Sequence, residues 1–274
     1  MTVIQAILLG IVQGATEFLP ISSSGHLALV PWLLNWRFEP SAKMAFDVLV
    51  HWGTLSALLI VFWRDLVALV VAAVEGLIHR RPFKDPAARL AWLLLAASVP
   101  AALLGLLFKD QIGKAFENPV FVSILLLVTA ALLTVSERLS KRTRHMASVR
   151  LADAMWIGLA QALALLPGIS RSGATIAAGM TLGLRREDAA RFSFLLAIPV
   201  MVGAGVMSIL DLAQRPDAAS QILPMLAGFL SAALVGYLAI RFLLAFLARR
   251  SLYPFAIYCT LAGLGGLMLS MFRG

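Results

Sequence analysis

The chain has 274 residues, of which 61% are hydrophobic and only 14% charged, with a formal net charge of +9. Soluble domains are about one-quarter charged. With a mean hydropathy of +0.90, the composition excludes a soluble enzyme and, despite the basic balance, a nucleic-acid binder. Several apolar runs exceed the ~18 residues that mark a spanning helix, which predicts a polytopic, all-α membrane protein forming one integral domain over 1–274.

The opening stretch MTVIQAILLG has neither the basic n-region nor the small-residue cleavage site of a signal peptide, and reads as mature protein. Residues 1–36 are apolar but broken at Pro20 and Gly25, as expected of a re-entrant helix–loop–helix hairpin. Spanning helices are predicted at 46–63, 90–108, 119–136, 189–210, 221–248 and 251–272, each near the ~20 residues that cross the hydrocarbon core. Residues 66–78 are left over and are expected to continue the preceding helix along the cytoplasmic interface. Residues 151–184 are interrupted at Pro167, Gly168 and Gly173, giving a second re-entrant hairpin.

Loop charges orient this path. Arg80, Arg81, Lys84 and Arg89 form one basic junction, and Arg138, Lys141, Arg142, Arg144 and Arg150 a second. Arg185, Arg186 and Arg191 form a third, and Arg249 with Arg250 a fourth. The 109–118 and 211–217 loops balance their charges, and Ser220 is read as an exposed loop residue whose replacement by Ala is silent. Basic loops belong in the cytoplasm, which puts both chain ends outside. The lone Cys259 has no partner for an internal disulfide, and Trp32, Trp36, Trp52, Trp63, Trp92 and Trp156 suit interfacial belts or packing.

Sliding the sequence by 148 residues superposes the two broken segments without a gap. Ala6, Gly10, Gln13, Ile21, Ser22, Ser24 and Gly25 fall on Ala154, Gly158, Gln161, Ile169, Ser170, Ser172 and Gly173, and Phe46 falls on Phe194. Because the charge-derived path gives the hairpins opposite orientations, the pattern predicts an inverted-topology repeat, 1–148 and 149–274. In such folds the N-termini of half-helices meet near the midplane, where free N–H groups and positive dipole ends suit an anion. A single serine reads equally well as a cap alone; two matched serine clusters with an arginine between them do not.

Gln13 and Glu17 are four apart and share a helix face. An ionisable residue within a membrane segment is costly and by default marks a functional site, which makes Glu17 the most informative carboxylate. His26 follows the Ser22-Ser23-Ser24-Gly25 loop in the first turn of the restarting helix, where it can act as nucleophile, base or acid. In the second hairpin the duplicate of Ser23 is Arg171, whose planar fork fits phosphate oxygens. The counterparts of Glu17 and His26 are Leu165 and Ala174. One half thus supplies acid–base groups and the other a phosphate clamp.

The Gln13–Glu17 pair as an (E/Q)-x-x-x-E motif, FLPISSSGH at 18–26 and PGISRSGAT at 167–175 resemble the undecaprenyl-diphosphate phosphatase family, also called bacitracin-resistance proteins. FSFLLAIP at 192–199 and PFAIY at 254–258 extend the resemblance over essentially the whole chain. It implies a bacterial inner-membrane enzyme, built from an inverted repeat, that removes the terminal phosphate of a polyprenyl diphosphate at the outer, periplasmic face. This regenerates the lipid carrier of cell-wall synthesis and confers bacitracin resistance. Carried over by position, Glu17, His26 and Arg171 match the essential residues, with Ser23 among the catalytic candidates. Gln13, Ser22, Ser24, Gly25, Ser170, Ser172, Gly173 and Thr175 then line the substrate. A divalent cation, Mg²⁺ or Ca²⁺, is implied, for which Glu17 and Gln13 are the candidate oxygen ligands. The membrane acid-phosphatase signature does not fit, because it needs a His at position 176, which is Ile, and a Lys at 74, which is Val.

Three nucleophiles stay open at this level: Ser23 activated by His26 or Glu17, His26 itself, and water. A transporter or flippase of the lipid monophosphate is the competing class, since an inverted repeat with broken helices is also a carrier architecture. Expected partners are the lipid substrate and membrane lipids, with monomer and homodimer both open. His51 is read as a structural hydrogen-bonder, Arg64–Asp65 as an interfacial ion pair, and Arg241 as snorkelling toward the cytoplasm. Arg80, Arg81 and the 138–150 cluster are read as topology determinants that contact anionic lipids.

Overall fold

The helices begin where their first residues dictate. In α3 (Pro40–Val61), α5 (Pro86–Leu107) and α7 (Pro119–Leu139) a proline opens the first turn, where its fixed φ is suitable and its missing N–H is no loss. The side chains of Glu39, Asp85 and Asn118 just before them accept from first-turn N–H groups, satisfying donors that have no partner within the helix. These caps pull the starts of α3 and α5 upstream of the purely apolar runs at 46 and 90. With α10 (Arg186–Ala213), α11 (Ile222–Leu247) and α12 (Tyr253–Arg273) they make, among the described residues, six helices long and apolar enough to cross a membrane. The protein is therefore a multi-pass membrane protein. The computed structural model describes residues 1–213 and 222–273, including the side chains of 1–207 and 222–272; Ser220 and most of the 211–217 loop lie outside the described residues.

Two pairs of shorter helices complete the frame. α1 (Val3–Phe18) is followed by α2 (Ser23–Leu33), and α8 (Leu151–Leu163) by α9 (Arg171–Thr181). At 1.5 Å per residue, α1 and α8 are about 24 and 20 Å long, short of the ~30 Å hydrocarbon core. α1 packs on α11, and α8 on α5, so each short helix leans on the opposite half of the chain. Matched glycines make both crossings. A Cβ on Gly10 would lie 2.5 Å from the Gly228 carbonyl oxygen, and one on Gly158 would run into the Ala97 carbonyl. α7 carries α2, α9 and α12 together. Phe194 sits at the centre of the main core, edge-on to Phe18 at 5.6 Å and to Phe62 at 6.1 Å between ring centres.

Two expectations need correction. Residues 66–78 do not continue the preceding helix: α4 (Trp63–Ile78) starts afresh after Phe62, whose φ of −101° and ψ of 16° leave the helical region. The Phe62 ring is held between Phe194 and the Arg191 guanidinium, 5.6 Å above it. That anchoring explains the break. Nor is Asp65 paired with its neighbour Arg64, because its carboxylate receives Arg191 of α10 at 3.2 Å. Further, a short α6 (Lys109–Ala115) occupies the balanced 109–118 loop. Arg241 donates to the Tyr237 hydroxyl at 3.1 Å.

The buried Glu137 ties helix ends together. It accepts from Arg186 Nε and Nη2, each at 2.7 Å, from Arg142 at 3.1 Å, and from the Leu252 N–H at 2.7 Å. Arg144 similarly holds Asp153 at 2.6 Å. Two arginines of the 138–150 cluster are thus committed to ion pairs that fix the approach to α8.

Candidate active site

The loops joining the two short pairs are built alike. Ser22 caps α2, its Oγ accepting from the Gly25 N–H at 3.2 Å, and Ser170 caps α9, its Oγ accepting from the Gly173 N–H at 3.0 Å. In both loops the capping hydroxyl lies 3.2 Å from the one two residues later, Ser24 or Ser172. Ser22 reaches this arrangement at φ +70°, a conformation that costs a non-glycine residue about 1–3 kcal/mol and persists where the surroundings enforce it. Thr129 of α7 pins the second loop, donating to the Gly168 carbonyl at 2.9 Å and accepting from the Ser170 N–H at 3.0 Å.

The loops also touch each other. Ser172 donates to the Leu19 carbonyl at 3.1 Å. A Cβ on Gly25 would stand 3.3 Å from Gly168 Cα, and one on Gly173 would stand 2.9 Å from Ser170 Cβ and 3.4 Å from Pro20. Glycine at both positions leaves room for that close approach, which brings both serine-capped N-termini, with their free N–H groups and positive dipole ends, into one place.

At their junction lies Glu17. Its Oε1 receives Arg171 Nη2 at 2.7 Å, while its Oε2 receives the Ser23 hydroxyl at 2.5 Å and Gln13 Nε2 at 2.9 Å. His51 Nε2 is 3.8 Å from the same oxygen. Gln13 and Glu17 are buried, and a buried carboxylate is tolerable only when paired and hydrogen-bonded. Glu17 has both. Two neighbouring atoms are left over: Arg171 Nη1 and Gln13 Oε1 are buried and find no hydrogen-bond partner among the described residues. Unsatisfied buried polar groups cost about 1–3 kcal/mol each, so the cluster is primed for a ligand that offers oxygens to the guanidinium.

The ring nitrogens of His26 have partners other than Glu17. Its Nδ1 is 2.7 Å from the Ser22 carbonyl, which can only accept, so Nδ1 carries the proton. Nε2 is then the acceptor for the Tyr258 hydroxyl, also at 2.7 Å. Ser23 is therefore in contact with the carboxylate, while both imidazole nitrogens are occupied elsewhere. Thr175 lies one layer behind the cluster, donating to the Arg171 carbonyl at 2.8 Å and lying 2.6 Å from Ser193 of α10. His51 does hydrogen-bond its own helix, Nδ1 to the Asp47 carbonyl at 2.6 Å, and it also turns Nε2 toward Glu17.

Gln13, Glu17, Ser22, Ser23, Ser24, Gly25, Arg171, Ser170, Ser172 and Gly173 thus lie together around the two loops. Tyr258, Thr129 and Ser193 were missed. Tyr258 and Ser193 stand within the PFAIY and FSFLLAIP runs, which signalled their segments but not their contacts; Thr129, one threonine in an apolar span, carries no signal. Among the described residues no group of three or more His, Cys, Asp or Glu side chains could hold a metal. The oxygens of Glu17 and the unpartnered Gln13 Oε1 are nevertheless the donor type a hard divalent cation takes, provided other oxygens complete its shell.

Fold and site together define a class: a polytopic helical membrane protein with a buried, anion-receptive centre between two broken helix pairs. Within it, the chain belongs to the bacitracin resistance protein BacA family, which it matches over residues 6–265. It is 47% identical over 279 residues to an undecaprenyl-diphosphatase of Thermomicrobium roseum, covering 99% of both chains. A Rubrobacter xylanophilus undecaprenyl-diphosphatase is 47% identical over 255 residues, 93% of each chain. One from Pelobacter propionicus is 44% identical over 264 residues, 96% of this chain and 95% of its own.

Proposed function

We propose that this chain hydrolyses undecaprenyl diphosphate to undecaprenyl phosphate and inorganic phosphate, in the bacterial inner membrane and from the periplasmic side. It thereby recycles the lipid carrier of cell-wall synthesis and confers bacitracin resistance. The observation that carries the chemistry is the Ser23–Glu17–Arg171 chain, 2.5 and 2.7 Å long in its two links, set between two capped helix N-termini. Both short helix pairs are re-entrant in this reading and related by inverted symmetry; the reciprocal packing of α1 on α11 and α8 on α5 supports it.

Phosphoryl transfer needs in-line positioning and stabilisation of charge on the equatorial oxygens. The terminal phosphate binds at Arg171 Nη1 and the N–H groups of both loops, with Ser22, Ser24, Ser170 and Ser172 around it. Ser23 Oγ attacks the terminal phosphorus while its proton passes to Glu17 Oε2; the bond from that phosphorus to the bridging oxygen breaks, and the lipid monophosphate leaves. Glu17 passes that proton to the departing lipid phosphate; it then takes one from the water that attacks the phosphoserine and hands it to Ser23 Oγ as the phosphorus–serine bond breaks, releasing inorganic phosphate and restoring both groups. A phosphohistidine at His26 gains no support, since both ring nitrogens are already engaged, Nδ1 by the Ser22 carbonyl and Nε2 by the Tyr258 hydroxyl. Glu17 and Gln13 would hold a Mg²⁺ or Ca²⁺ together with diphosphate oxygens and water, and such a cation neutralises diphosphate charge.

A lipid carrier using the same anion site accounts for the arginine but not for a serine hydroxyl aligned on a buried carboxylate. Purified protein in detergent separates the two. A hydrolase releases inorganic phosphate from undecaprenyl diphosphate, whereas a carrier, having no second compartment, releases none.

A further inference from the structure

The His26–Tyr258 contact is not used by the chemistry above, yet it joins residues 232 positions apart. The phenol ring is stacked on the imidazole, 5.6 Å between centres and 16° from parallel. Tyr258 comes from α12, whose inner neighbours Ala256 and Cys259 are buried, while Tyr258 itself is 43% exposed. An aromatic ring on the outer surface of a spanning helix is ordinarily an interfacial anchor with its hydroxyl toward water or headgroups. This hydroxyl instead turns inward, onto a ring nitrogen of His26 in the first turn of α2.

Three constraints therefore act on one imidazole. Nδ1–H is donated to the Ser22 carbonyl, within the strained turn at φ +70°. The ring plane is fixed by the stacked phenol. The Nε2 lone pair is held by the Tyr258 O–H. Which nitrogen of a histidine carries the proton is set by the partner of the other; here the Ser22 carbonyl, which can only accept, sets the tautomer, and the Tyr258 hydroxyl, which can donate or accept, donates to the nitrogen left bare.

We infer that Tyr258 is a positioning residue for the phosphatase reaction, holding His26, beside the serine loop, in a single ring orientation with Nε2 as the acceptor. The inference rests on the function proposed above. It gives α12 a role in the site, through a side chain that never touches Glu17, Ser23 or Arg171 directly. The imidazole next to the Ser22–Gly25 loop is then pre-oriented rather than freely rotating when substrate binds, and orientation fixed in advance is recovered in the rate.

Two readouts test this on the intact protein in detergent. The first is the ¹⁵N spectrum of histidine-labelled protein without substrate, in which the signals of His26, one of four histidines, are identified by their loss in His26→Gln. Tyr258→Phe keeps the stacked ring and removes only the O–H, so the His26 Nε2 signal is expected to shift while the other histidines stay in place. The second is steady-state phosphate release. Tyr258→Phe is expected to lower kcat about tenfold, the scale of one lost hydrogen bond, with KM within about twofold. Tyr258→Ala, which also loses the stacking, is expected to fall further. An unmoved His26 signal in Tyr258→Phe overturns the inference, as does wild-type kcat in that variant. A wild-type protein that releases no phosphate refutes the proposed function instead, and the spectrum still decides whether Tyr258 holds His26.

Discussion

Replacing Arg171 by Ala separates two things the guanidinium does. Its side chain is 18% exposed and that of its partner Glu17 only 5%, so the pair is largely desolvated. Removing one member of such a pair costs about 3–5 kcal/mol, because the other charge is left buried. Glu17 keeps the Ser23 and Gln13 hydrogen bonds, which places the expected loss at the lower end, about 3 kcal/mol. The effect on turnover is larger, since an arginine that stabilises a transferring phosphoryl group contributes about 10³–10⁵ in rate. Stability is read by thermal unfolding in detergent and activity by phosphate release from undecaprenyl diphosphate. Adding Glu17→Gln to Arg171→Ala removes the stranded charge, so the double variant should unfold at a higher temperature than the single one and remain inactive. Near-normal turnover in Arg171→Ala refutes the clamp, and a double variant no more stable than the single refutes the buried pair.

Ser23→Ala should lower phosphate release by at least about 10³-fold, the scale on which nucleophile loss is felt, and acid-quenched wild-type protein should carry an acid-stable phosphoserine that the variant lacks. Thr129→Val strands the Gly168 carbonyl and the Ser170 N–H; about 1–3 kcal/mol of stability should be lost, with kcat falling because the second loop loses its anchor. Glu137→Ala leaves Arg186 and Arg142 without their carboxylate and should lower the unfolding temperature, while phosphate release per folded molecule stays close to wild type.

The six spans were legible because a membrane imposes a length and a composition that the chain must print in its sequence. Their ends were displaced where polar caps such as Glu39 and Asp85 start a helix before its apolar run does. The two loops were legible for a different reason: serine and glycine at a chain break have few uses in an apolar environment, and Arg171 with Glu17 could not be buried apart. What spacing could not show was partnership across the fold. Asp65 beside Arg64 suggests a local pair, yet the partner is Arg191 of α10, 126 residues further along the chain. Tyr258 and Thr129 sit on spans whose pattern specifies only that they cross. Their hydroxyls acquire meaning once α7 and α12 are placed against the loops.

The central claim is that loops from the two halves of the chain hold one diphosphate headgroup. Undecaprenyl diphosphate binding to Ser23→Ala protein, which holds the lipid without turning it over, tests it through a double-mutant cycle between Ser24→Ala in the first loop and Arg171→Ala in the second. Groups that grip the same ligand couple, with interaction energies of about 0.5–3 kcal/mol. Each change should weaken binding and the pair should be non-additive. Strictly additive losses, or no effect from one of the two loops, would contradict the shared site.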